Sequence, residues 1–288
     1  MRSCSQSELR RCRPLLGTFV DLHLFGSAPG LLEAAVHAAF GRMTAIQQCM
    51  SVHADESDIG RMNRRAFEEA VEVSEDTRAV LERALQVAGE SNGAFDFCVG
   101  AKLAEWGLRH KSLRRNEWGN WRDVMLGPGG VVQFARPVVV DLGGIAKGYA
   151  VDAAVGVLQE LGVESGVVNA GGDLRVFGER SCEVQIRDPR RPEALVQSRN
   201  LHNAALATSS PCFTKRRRKG RWVSHLVNST SGEPVTQDIS VTVEAPLCWI
   251  ADALTKVVLN APRAAEPMLK RWQATAYVLG NEAAFTEV

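Results

Sequence analysis

No stretch of the 288-residue chain approaches the about 18 uninterrupted apolar residues that a membrane-spanning helix needs, so membrane insertion is not expected. The opening MRSCSQSELRRCRPLLGTF has basic residues but no apolar run of signal-peptide length. Cys4 lacks the apolar segment that precedes a lipid-modified cysteine. A cytoplasmic location is the expectation. Charge of one sign is not in excess either: 34 Lys plus Arg stand against 33 Asp plus Glu, a formal net charge of +1. No global field draws the chain to nucleic acid or to an anionic membrane, so an anionic ligand must be held locally. The seven cysteines (Cys4, Cys12, Cys49, Cys98, Cys182, Cys212 and Cys248) are odd in number and form no CxxC pair. Neither a disulfide framework nor a zinc site is indicated. Internal repeats, low-complexity tracts and obvious linkers are missing as well. What is there is 45% hydrophobic residues, enough for an ordinary globular core.

Residues 17–26, GTFVDLHLFG, alternate apolar and polar and predict a half-buried strand. From 29 to about 50, Leu32, Val36, Ala39, Phe40, Met43 and Ile46 recur at spacings of three and four, which predicts an amphipathic helix. Residues 50–66 lose that period and read as a loop. A second helix is predicted over 74–93, capped by Ser74 and ended by Gly89 or Gly93. Residues 106–130 read as loop and short helix, where Trp106, Trp118 and Trp121 fix the chain on the core. A strand–turn–strand follows over 165–178, then strands over 181–189, 201–210, 220–228 and 239–246, a helix over 249–262 and a last strand over 274–280. The expected class is α+β, with residues 1–12 a flexible N-terminus and 13–288 a single domain, in one or two lobes.

The stretch PVVVDLGGIAKGYAVD (137–152) carries the chemistry. A strand over 137–142 would feed a helix near Ile145 through a turn at Gly143 and Gly144. The free N–H groups of such a helix start attract phosphate. Lys147 falls in the first turn, where the helix dipole disfavours an ammonium unless an anion is present. Taken alone, the same residues make a glycine turn with an exposed lysine, and the pattern is not GxGxxG. A second glycine pair, Gly171 and Gly172, follows the apolar GVVNA and precedes Asp173.

Taken in order, DLGGIAKGYAVD, NAGGDLRVFG, ATSS, SHLVNSTSGEPV and ADALTKVV resemble the FAD:protein FMN transferases of the ApbE family. PLLGTFVDL, MSVHADESDIGRMN and SNGAFDFCVG extend the resemblance over roughly residues 13–280. It implies a T-fold-related domain of mixed and antiparallel sheets flanked by helices. It also implies that FAD is the substrate, Mg²⁺ the metal, and a Thr or Ser hydroxyl on a partner protein the acceptor of FMN, with AMP released. By the same resemblance, Leu16, His53, Ala94, Phe95, Asp96, Asp141, Lys147 and Val227 contact FAD. The Gly144 carbonyl, Asp252 and Thr255 hold the metal, and His225 is the candidate base. A lone histidine is otherwise most simply a core imidazole bonded to backbone.

Several positions depart from the family pattern. Leu16 stands for its Met and His53 for its Tyr. Lys256 occupies the place of the Thr four residues after the metal-binding Asp. Either Thr255 replaces that ligand, since both spacings share a helix face, or Lys256 puts an ammonium near the metal position. Two rival functions follow: an FAD pyrophosphatase giving FMN and AMP, and a flavin-binding protein without catalysis. No Asp-x-x-Ser/Thr-Gly-Ala-Thr acceptor motif occurs in the chain, so the acceptor is another protein. The basic run 215–221 reads first as a solvated hairpin tip, second as a docking patch for an acidic partner, and third as a nucleic-acid site.

Overall fold

Strands β1 (Ser7–Leu15) and β2 (Thr18–Gly26) are joined by a two-residue turn in which Leu16 (φ 56°) and Gly17 (φ 71°) are both left-handed. The Leu16 amide is held there by the Gln47 side-chain oxygen at 2.5 Å. Residues 7–12, expected to be a loose terminus, are therefore strand, because β1 pairs along its whole length with β2. The computed structural model describes residues 7–26, 28–114, 119–212, 214–280 and 285–287, so residues 1–6 and Trp118 lie outside it.

The chain continues through α1 (Pro29–Met50), α2 (Asp58–Arg65), β3 (Val71–Glu72), α3 (Glu75–Glu90) and α4 (Gly100–Glu105). Then come β4 (Val124–Leu126), β5 (Val131–Phe134), α5 (Ala146–Glu160), β6 (Ser165–Ala170), β7 (Asp173–Gly178), β8 (Cys182–Asp188) and β9 (Arg191–Leu201). It ends with β10 (Ala205–Ser209), β11 (Arg216–Arg218), β12 (Arg221–Val223), β13 (Ser240–Ala245), α6 (Cys248–Asn260), α7 (Pro262–Arg271), β14 (Thr275–Leu279) and β15 (Phe285–Glu287). An eight-stranded antiparallel sheet runs in the order β1-β2-β6-β7-β10-β13-β14-β15. The class is α+β, as expected.

Alternation along the strands sorts two faces. Val20, Leu22, Leu24, Val168, Ala207 and Val243 point to the helices α1, α5 and α6 and form the main core. Each fully buried leucine there contributes about 1.5–3 kcal/mol. On the other face Leu174, Val176 and Leu206 meet Leu201 beneath the β8–β9 hairpin and make a smaller core. Among the described residues no helix is long and apolar enough to cross a membrane.

Two sequence readings fail here for one linked reason. Residues 50–66 are not all loop: Ser57 caps α2 by accepting from the Gly60 amide. Residues 137–142 are not a strand. Their main chain is extended but pairs with scattered partners: Pro137 O with the Gly119 amide (2.8 Å), Val139 O with the Gly100 amide (3.0 Å) and the Asp141 amide with Phe97 O (2.8 Å). Asn63 on α2 completes the set, its side chain donating to Val140 O (2.9 Å) and accepting from the Val140 amide (2.7 Å). A side-chain amide thus replaces a neighbouring strand and fixes the approach to Asp141.

Candidate active site

Asp141 leaves that clamped segment buried. Its Oδ1 accepts from the Gly143 amide (2.9 Å), and its Oδ2 accepts from Arg109 Nε (2.7 Å). The helix start that follows does not offer the row of free donors expected. The Ile145 and Ala146 amides donate to Leu142 O, and the Gly148 amide donates to Asp252 Oδ2 at 3.1 Å. That last contact needs glycine, because a Cβ at position 148 would lie 2.5 Å from the Cys248 carbonyl oxygen. Helices α5 and α6 can therefore cross closely. Asp152 on α5 locks the crossing by accepting from the first amides of α6, Cys248 (3.0 Å) and Trp249 (2.9 Å).

The close crossing sets the charges. Asp252, fully buried, has its Oδ2 3.8 Å from Lys147 Nζ. Lys256 Nζ pairs with Asp252 Oδ1 and also donates to the Asp252 carbonyl at 2.9 Å. Burial pushes the Asp252 carboxyl up, and the ammoniums of Lys147 and Lys256 more than reverse this, holding it below the ordinary carboxylate value. Lys147 is itself ion-paired with Asp173. Enclosure disfavours its charge and lowers its pKa, against which Asp252 acts. Thr255 is buried too, its hydroxyl donating to the Asp252 carbonyl (2.6 Å) and meeting Ser209 Oγ at 2.7 Å.

Two of the three expected metal donors are thus already engaged: Lys256 stands on Asp252, and Thr255 is tied to its own helix and to Ser209. With an ammonium where a Mg²⁺ would meet Asp252, this donor set does not fit the metal.

A cavity of about 230 Å³ brings most of the other expected residues together: Ala94, Phe95, Asp96, Asp141, Gly144, Lys147, His225 and Val227 all line it. Burial raises the Asp96 carboxyl above its usual value, while its Oδ1 accepts from the Cys98 amide at 2.8 Å. His225 follows β12 on a turn held by Ser224, whose hydroxyl donates to Val235 O at 2.6 Å. Enclosure lowers the His225 pKa, Arg109 and Arg216 lower it further, and Asp141 opposes them. The imidazole is therefore neutral at neutral pH and open to a proton.

Leu16 and His53 are not among the lining residues. Leu16 is committed to the β1–β2 turn, and His53 bears on the site as one of the neighbours that lower the His225 pKa. Among the lining residues that the sequence reading did not assign to the site are Arg109, Ser209 and Asn260. Asn260 continues the spacing of four from Asp252 and Lys256, a signal that was present. Its Nδ2 donates to Ala94 O (2.9 Å) and Val227 O (3.3 Å), stitching two walls together. Arg109 sits in an aperiodic segment and carried no signal. The cavity shares Lys147, Thr208, Ser210 and Thr214 with a larger cleft of about 800 Å³, which runs over the outer face of the large sheet to β8.

Comparison with known proteins gives a consistent picture. The family model described as "ApbE family" matches residues 16–279. An "FAD:protein FMN transferase" of Treponema pallidum is 29% identical over 283 residues, covering 86% of this chain and 77% of the relative. The protein of that name from Vibrio cholerae is 27% identical over 263 residues, covering 84% and 78%. The crystal structure of the ApbE protein of Thermotoga maritima superposes with a TM-score of 0.87 at 25% identity, covering 97% and 96% of the two chains. That of the Pseudomonas stutzeri flavinyl transferase ApbE gives 0.82 at 22% identity, over 98% and 94%, a likeness of fold.

Proposed function

The chain belongs to the ApbE family, and from that premise we propose that it is an FAD:protein FMN transferase, moving FMN from FAD onto a Thr or Ser hydroxyl of a partner protein and releasing AMP. One observation carries the reading: a single cavity sets a neutral imidazole, His225, beside two ammoniums, Lys147 and Lys256. Phosphoryl-type transfer needs these two things, an acceptor for the hydroxyl proton and fixed positive charge at the diphosphate.

The diphosphate lies where Lys147 lines both the cavity and the cleft, so that the two ends of the dinucleotide divide between them. The acceptor oxygen attacks the FMN phosphorus, its proton passes to His225, and the P–O bond to AMP breaks with the electron pair leaving on AMP. Arg109 orients Asp141 through its hydrogen bond to Oδ2, and with Arg216 it keeps His225 unprotonated. A Mg²⁺ held by Gly144, Asp252 and Thr255 would supply charge neutralisation. Since the donors do not fit it with Lys256 in place, Lys147 and Lys256 carry that role.

Incubation with FAD, with and without a protein acceptor, tests the reading. AMP together with a flavinylated acceptor supports it. AMP without modified acceptor makes the protein an FAD pyrophosphatase, and neither product makes it a flavin-binding protein.

A further inference from the structure

The basic run 215–221 has no part in the steps above. The chain leaves the wall at Thr214, which lines both cavity and cleft, forms the hairpin β11–β12, and returns to the wall at His225. The hairpin's base is anchored by Val223, fully buried against Leu103 and Trp106. Its tip is Lys219 (φ 48°) and Gly220 (φ 83°), a tight two-residue turn that keeps both strands in fixed register.

The two ends of the run are neutralised, Lys215 by Asp238 and Arg221 by Glu233. Between them Arg216, Arg217, Arg218 and Lys219 pair with no carboxylate among the described residues, and all four stand on three-residue strands or their tip. Trp222 lies opposite Arg217 in the register and is 51% exposed. Like charges gathered this closely repel unless an opposite charge arrives. An exposed indole beside arginines is the composition of a protein contact.

We propose that the β11–β12 hairpin docks an acidic segment next to the acceptor hydroxyl of the partner protein, its carboxylates seated on Arg217, Arg218 and Lys219 and its apolar part on Trp222. This rests on the reading that the acceptor is a protein. A nucleic acid fits less well: a three-residue strand spans only roughly 10 Å, and the chain's net charge of +1 gives no further track for a phosphate backbone.

The test is direct binding, which needs no turnover. Two fluorescein-labelled peptides share a central threonine and differ only in flanking glutamates or glutamines. Their affinities are measured by anisotropy for the wild type, Arg217→Glu/Arg218→Glu and the milder Arg217→Ser/Arg218→Ser, with thermal melting as the check on fold. The wild type is expected to bind the glutamate peptide about tenfold more tightly at low salt, with the preference fading as salt screens it. Both variants should lose the preference while melting as the wild type does. Equal affinities in the wild type, or an undiminished preference in the serine variant, overturn the proposal. So does a uridine oligonucleotide that outcompetes the glutamate peptide. Failure of the transferase reading would show separately, as incubation with FAD that leaves the acceptor protein unflavinylated, with or without AMP.

Discussion

Replacing Lys256 with threonine puts a hydroxyl four residues after Asp252 and removes the ammonium that stands on it. At about 3 Å and an effective dielectric constant near 20, the lost attraction is about 5 kcal/mol before desolvation of the ammonium is subtracted. Removing one member of a buried pair costs about 3–5 kcal/mol when the remaining charge is stranded. Asp252 is not stranded, because Lys147 stays 3.8 Å away and the Gly148 amide still donates at 3.1 Å. The expected loss of stability is therefore about 2 kcal/mol, read by denaturant unfolding. For FAD, loss of one of two ammoniums at the diphosphate should weaken binding by about ten- to a hundredfold in EDTA, the range of a charged hydrogen bond. Added Mg²⁺ should restore much of this in Lys256→Thr, whose Asp252 carboxylate is now uncovered, and change the wild type little. The assay is FAD titration and AMP release for both proteins, each in EDTA and in Mg²⁺. A wild-type activity that collapses in EDTA and returns with Mg²⁺ would refute the reasoning and return Gly144, Asp252 and Thr255 to the metal.

His225→Ala should lower AMP release by about 10²-fold or more with FAD affinity nearly kept, as for loss of a general base; an unchanged rate would leave the imidazole a packing residue. Because burial, Arg109 and Arg216 depress the His225 pKa, the rate should rise with pH through a midpoint below the ordinary imidazole value of about 6.5. Removing one depressing charge with Arg109→Ala should shift that acid limb upward, and a limb that stays or moves down contradicts the electrostatics. Gly148→Ala drives a methyl into the Cys248 carbonyl and should cost about 1–3 kcal/mol in thermal unfolding together with FAD affinity, since α6 must retreat from α5. Asn63→Ala strips both hydrogen bonds from Val140 and should cost about 2–4 kcal/mol, at about 1–2 per bond; a loss under half of that would mean the extended segment holds itself.

Periodicity alone carried much of the fold. The three- and four-spaced apolar residues of α1, the Ser74 cap of α3, the alternation of β2 and the strands β6 and β13 appear as read, because each is a local regularity facing one large core. The glycine–lysine junction and the His225 segment were legible as chemistry, since they combine residue types that a core does not require. What tertiary structure alone decided lies in long-range partners. Val138, Val139 and Val140 have the composition of a strand, but the backbone bonds of Val139 and Val140 go to the first residue of α4 and to Asn63, 77 residues away from Val140, so an irregular segment rather than a sheet delivers Asp141. Asp252 and Lys256 form a helix-surface pattern in sequence. The close α5–α6 crossing at Gly148 buries the carboxylate, and with it the question of what cation it meets. Arg109 reaches Asp141 across 32 positions from a stretch without period. A charge acts through distance in space, and that distance is set only when the elements pack.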